Sequence, residues 1–143
     1  MTDVVVLEEP PTIAEYIALR ARMGWGKISE GTARITIERA AYSVCLRKEG
    51  RLVGLARVAG DGVLYFFISD VIVSPELQGG GHGATLMNAV AAYLRRAARP
   101  GATITLQPMK GRETFYERFG FARCPNEIFG AGMYFAAMPP PEN

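Results

Sequence analysis

Four of the five residues from Gly79 to Gly83, in "QGGGHG", are glycine. Glycine at that density costs backbone entropy, so a special backbone shape or a close approach must require it. A β-branched run, "SDVIV", comes before them and an apolar-periodic stretch after them. A strand passing through glycines into a helix presents unpaired N–H groups at the helix N-terminus. Those donors and the helix dipole suit a phosphate or pyrophosphate. A tight turn with no ligand is the competing reading.

Other chemistry-bearing residues are sparse. His82, the single histidine, lies inside the glycine run. It would be the base of a serine or cysteine nucleophile, but no G-x-S-x-G elbow occurs, so it reads as a solvent-facing loop residue. Cys45 and Cys124 read as reduced core residues of a cytoplasmic protein rather than as a disulfide framework. One histidine and no paired cysteines leave a metal such as zinc almost without ligands.

The bulk properties bound the partners. A length of 143 residues predicts one domain over 1–143. Hydrophobic content of 49% and charged content of 21% fit a soluble globular chain. A net charge of +2 implies no nucleic-acid partner, while leaving arginines for a small anionic ligand. No apolar run approaches the ~20 residues of a membrane span, so no membrane is expected. "MTDVVVLEEPP" has neither the basic start nor the apolar length of a signal peptide.

The positioning elements follow from period and punctuation. "VVVL" (4–7) predicts a short strand. Pro10 and Pro11 precede Thr12, and Ile13, Tyr16, Ile17 and Leu19 keep helical spacing, so a threonine-capped helix is expected. Ser29 with Glu30 opens a second helix through Arg39. Three β-rich runs, 42–48, 51–59 and 63–73, are separated by "KEGR" and "GDG" and predict an antiparallel meander. The third run is long, which points to a bulge near Ser69. Leu86, Val90, Ala91 and Leu94 share a face of a helix over about 81–97. A strand at 102–107 and a short amphipathic helix, "RETFYERF", ended by Gly120, come next. "FARC" and "GMYFAAM" are expected as final strands, whose apolar character permits a homodimer. The fold class is α/β (α+β): a mixed, mostly antiparallel sheet flanked by helices around one strand–loop–helix unit.

Known phosphate loops can be tested against the glycines. A Walker A loop needs G-x-x-x-x-G-K-[ST], yet Ala84 and Thr85 stand where the last glycine and the lysine belong. Gly79, Gly81 and Ala84 match a dinucleotide fingerprint. However, this loop follows a meander instead of opening a first βαβ unit, and no acid lies on a second parallel strand about 20 residues on. A third pattern fits: "QGGGHGA" reads Q-x-x-G-x-G/A, with Gln78, Gly81 and Gly83 in register. With its approach "DVIVSPELQ" and the later "TFYERFGF" (114–121), it resembles the acyl-CoA loop and late helix-and-strand motif of the GNAT N-acetyltransferase superfamily. The likeness covers most of the chain by element order and is specific over 69–96 and 112–121.

That resemblance implies acetyl-CoA as acyl donor, no metal, and a strand that splays from its neighbour just before the loop. Val71, Ile72 and Val73 would offer backbone groups to the pantetheine arm. Gly79, Gly80, Gly81, His82, Gly83 and Ala84 would wrap the pyrophosphate with their N–H groups, and Gln78 would shape the loop. His82 falls at a variable position of the motif. Tyr116 matches the tyrosine that serves as general acid in many members. Asp70 is the candidate base, directly or through water; some members have glutamate where this chain has Ser69, which leaves the water route open. A backbone N–H near Val71 is placed to polarise the thioester carbonyl.

In a GNAT-like arrangement the loop holding Trp25 borders the acceptor pocket, where the ring packs on substrate or staples two helices. Glu127, on the opposite wall, would suit a cationic amine. No activated nucleophile is evident, so direct attack by a small-molecule or peptide amine is expected. The competing readings are a non-catalytic acyl-CoA sensor on the same fold and, from a third class, a nucleotide or nucleic-acid binder.

Overall fold

A computed structural model describes residues 3–135. Strand β1 (Val4–Leu7) leads through helices α1 (Ile13–Arg22) and α2 (Glu30–Glu38) into the meander β2 (Tyr42–Lys48), β3 (Arg51–Gly60) and β4 (Tyr65–Val73). A 3-10 turn at Pro75–Leu77, helix α3 (His82–Ala97), strand β5 (Thr103–Leu106) and helix α4 (Glu113–Glu117) complete it. The sheet order is β1-β2-β3-β4-β5. The first four strands are antiparallel neighbours, while β5 runs parallel to β4, because α3 carries the chain back between them. The expected mixed, mostly antiparallel sheet is thus present.

Local chemistry fixes the boundaries. Thr12 caps α1 through a capping box: its hydroxyl accepts from Glu15 N while Glu15 Oε1 accepts from Thr12 N. Ser29 caps α2 by accepting from Thr32 N at 3.1 Å. The β2–β3 hairpin turns on Glu49 and Gly50, both at positive φ, as a two-residue loop of this hand requires. The third meander strand begins at Tyr65 rather than 63. Asp61 Oδ1 accepts from the N–H groups of Val63, Leu64 and Tyr65, and so holds those first residues in a turn.

Both faces of the sheet are covered. Leu86, Met87, Val90 and Leu94 of α3 pack on Val44, Leu46, Val53, Ala56, Val58, Phe66 and Ile68. Tyr16 and Leu19 of α1 and Ala33 of α2 pack on Cys45, Leu52, Leu55 and Ile72 on the other face. Strand β3 therefore reads as an almost unbroken apolar run, and Arg57 is its one buried charge.

Two expectations at the C-terminal end change. "FARC" (121–124) and residues 132–135 of "GMYFAAM" are not strands, and the remaining 136–138 lie outside the described residues. Arg123 folds back onto Glu117 and Thr114, and Asn126 Oδ1 accepts from Ile128 N and Phe129 N. Asn126 Nδ2 also donates to Arg123 O, so this carbonyl of "FARC" is taken by a local bond. Cys124, expected in the core, is exposed on this segment outside the sheet, whereas Cys45 is buried. Among the described residues no helix is long and apolar enough to cross a membrane, and no cluster of three His, Cys, Asp or Glu is able to hold a metal.

Candidate active site

The site begins as a defect in the sheet. Arg57 pairs with Ser69, but Leu55 pairs with Ile72, so β4 carries one residue more than β3 across that step. The extra residue makes a bulge at Asp70 and Val71, and Asp70 takes φ +53. This is the bulge expected near Ser69. Pairing of β4 with β5 ends at Ile68 and Leu106. From Ser69 to Val73 the β5-side edge of β4 therefore has no partner strand among the described residues. That unpaired edge can offer strand-like bonding to a ligand.

The glycine loop follows that edge and leads into α3. Gly79 and Gly81 adopt φ +88 and +83, a region that side-chain-bearing residues avoid. A Cβ at either would stand in open space, so their lack of a side chain serves backbone shape and a bare approach, not packing. Gly81 is the N-cap of α3 and supplies no side-chain acceptor, which leaves the first N–H groups of a sixteen-residue helix facing outward. Gln78 Nε2 donates to Val73 O at 2.9 Å and ties the loop to the end of β4. His82 lies with Val4, Val6, Leu46, Gly80 and Thr85 around an open cleft beside the loop.

Helix α4 brings Tyr116 to the same loop. A Cβ at Gly83 would come within 3.2 Å of Phe115 Cζ, so this glycine permits α4 to dock on the first turn of α3. Tyr116 packs edge-on against Phe115 at 5.0 Å and against Phe121 at 6.4 Å. Burial pushes its phenol above the ordinary tyrosine range, with Arg112 pulling weakly the other way. The two sequence motifs are thus in contact.

Across the sheet lies a cluster that sequence reasoning did not find. Asp70 Oδ2 accepts from Tyr16 Oη at 2.5 Å and from Arg57 Nε at 2.8 Å, and Oδ1 accepts from Arg20 Nη1 at 3.2 Å. Arg57 also donates to Thr36 O and to Tyr16 Oη. The Arg20 guanidinium lies 5.5 Å from the Trp25 ring and 5.7 Å from the Tyr16 ring. Burial, then the bond to Asp70, raises the Tyr16 phenol. Two signals were readable: the i, i+4 spacing of Tyr16 and Arg20, and one arginine inside "LVGLARVAG". The structure joins Asp70 and Trp25 through Arg20. Glu127 lies apart on the exposed segment after Pro125, with no hydrogen bond to the cluster among the described residues.

Comparisons with known proteins agree with this geometry. A family model described as the acetyltransferase (GNAT) domain matches residues 16–139. The chain is 32% identical over 118 residues to serotonin N-acetyltransferase 2, chloroplastic, of Oryza sativa subsp. japonica, spanning 80% of this chain and 58% of that protein. It is 30% identical over 116 residues to an uncharacterized N-acetyltransferase, ycf52, of Porphyra purpurea, spanning 78% and 66%. The chain therefore covers less than two thirds of either relative. Among solved structures, a protein of unknown function from meticillin-resistant Staphylococcus aureus, described as a probable acetyltransferase, superposes with a TM-score of 0.83. That likeness has 30% identity and covers 94% of this chain and 100% of the other. A splayed strand, a glycine loop that caps the next helix and a matching family model from α1 onward lead to one conclusion: the chain belongs to the GNAT acetyltransferase family.

Proposed function

We propose that the chain transfers an acetyl group from acetyl-CoA to an amine of its acceptor by direct attack, without an acyl-enzyme. The observation that carries this reading is the contact between the two motifs, in which Gly83 admits Phe115 and so brings Tyr116 to the glycine loop. The residues present fit the donor. Gly79 and Gly81 leave open space before the loop, and the uncapped start of α3 offers N–H groups to a pyrophosphate. The unpaired edge from Ser69 to Val73 offers strand-like bonding to the amides of a pantetheine arm. Acetyl-CoA supplies the activated thioester.

The chain's own groups then divide the remaining work. A backbone N–H near Val71, aimed by the bulge, polarises the carbonyl. Tyr116, kept neutral by burial, gives its proton to the departing thiolate. Asp70, the expected base, already accepts from three donors, which favours an anchoring role for it. The amine then delivers its proton to water. Cys45 is unsuited as a nucleophile, because burial pushes its thiol up to about 12.

The test is acetyl-CoA-dependent thiol release against a broad amine panel that includes arylalkylamines, given the rice relative's name. Turnover with an amine supports the reading. Tight CoA binding with no transfer to any amine would instead favour an acyl-CoA sensor.

A further inference from the structure

We propose that the acceptor carries an anionic oxygen group, a carboxylate in the simplest case, which docks on Arg20 near Ser69 and the Trp25 ring. This rests on the acetyl-transfer reading above and names the class of acceptor: an amino acid or similar amine with its own acid group.

Hydrogen-bond capacity carries the argument. Arg57 is saturated by Asp70, Thr36 and Tyr16. Arg20 makes one hydrogen bond, Nη1 to Asp70. Its Nε is buried without a partner. Nε itself is sealed from solvent, so the bonding capacity that a carboxylate would use lies on the terminal nitrogens, where Nη2 makes no hydrogen bond among the described residues. Ser69 Oγ is also buried without a partner, and Ser69 pairs in register with Arg57. Two orphaned donors thus flank Asp70, and native structures rarely leave such groups without a ligand or a water.

Charge and access point the same way. Two guanidiniums share one carboxylate, so the cluster keeps one uncompensated positive charge. The side chains of Arg57 and Asp70 are 6% and 9% exposed, while that of Arg20 is 21% exposed. The rings of Tyr16 and Trp25 fix its guanidinium in place. Ser69 and Asp70 begin the unpaired edge of β4, where the acetyl carbonyl is expected, so an acid docked there holds its own amine near the reacting atoms.

The test uses matched acceptors: phenylalanine, phenylalaninamide and phenethylamine, with 5-hydroxytryptophan and serotonin as a second set. The carboxylated member of each set should show kcat/KM at least ~10-fold above its partners, as a charge-assisted bond allows. Arg20→Gln should collapse that ratio toward one, and Ser69→Ala, a milder change, should lower it. Equal turnover of carboxylated and decarboxylated partners, or an undiminished ratio in Arg20→Gln, would overturn the proposal. Trp25, the only tryptophan, gives a readout independent of turnover. Its fluorescence should respond saturably to phenylalanine and not to phenethylamine, and Arg20→Gln should abolish the response. If no amine is acetylated, the enzymatic reading fails while this titration still decides the anion site. An unresponsive Trp25 together with an unselective enzyme means that ordered water satisfies the two donors, and the proposal falls.

Discussion

The general-acid role proposed for Tyr116 requires it to hold its proton until the thiolate leaves, and burial favours that. Burial against Phe115 and Phe121 raises the phenol above its ordinary value of 10.0, so the donor form persists as pH climbs through that value and is lost only beyond it. Tyr116→Phe keeps the packing and removes the proton. Its kcat should fall about 100-fold or more, with acetyl-CoA affinity held within a few-fold. The wild-type kcat profile should show no decline from this group between pH 8 and the ordinary phenol range of about 10. Equal kcat for the variant, measured by thiol release, would remove Tyr116 from the mechanism. Tyr116 could be nominated from sequence because "FYERFGF" is a local motif. Tyr16, Arg20 and Arg57 could not, because each meets Asp70 across 54, 50 and 13 residues of chain, and only folding brings them together.

At the scale of elements, hydrophobic period located nearly every helix and strand, and the side chains of Thr12 and Ser29 fix where α1 and α2 begin. The C-terminal segment is the exception. "FARC" is not a strand: Asn126 Nδ2 donates to Arg123 O, and the Arg123 side chain folds back onto Glu117. Docking of α4 depends on Gly83, whose Cβ as alanine would press on Phe115 at 3.2 Å. Gly83→Ala should shift α4 and lower kcat roughly 10-fold, because small misplacements of a reacting group are costly. Its helix content, read by circular dichroism, should stay unchanged. Helix α1 is held by Glu15, which completes the cap and accepts from both Nη1 and Nη2 of Arg47 on β2. The Arg47 bond holds the Glu15 carboxyl at about 2, below its ordinary 4.5. A depressed folded value means the stabilisation is complete above 4.5 and disappears as pH falls toward 2. Glu15→Gln should cost about 1 kcal/mol at pH 7, after allowance for the partly exposed pair, and nothing near pH 2. Urea midpoints at the two pH values measure the difference.

At the scale of the whole molecule, Asp70 joins what the sheet separates. It lies in the β4 bulge and accepts from α1 through Tyr16 and Arg20, and from β3 through Arg57, which in turn reaches α2 at Thr36. Four elements therefore converge on one carboxylate that is 9% exposed, carried by a residue whose own backbone is left-handed. An anchor and a base make different predictions for Asp70→Asn. The amide keeps the shape but leaves Arg57, 6% exposed, without its counter-charge, and stranding a buried guanidinium costs about 3 kcal/mol. An anchoring role predicts that loss in a urea titration with an unchanged slope, and a fall in kcat at every pH as the bulge loosens. A base role predicts the same loss of stability, since Arg57 is stranded either way, but adds a selective loss of the acidic limb of the pH–rate profile. The geometry of three donors on two oxygens favours the first outcome. Arg57→Met tests it from the other side: it removes the buried charge without touching the reacting edge, and it should lower kcat only to the extent that it loosens β4.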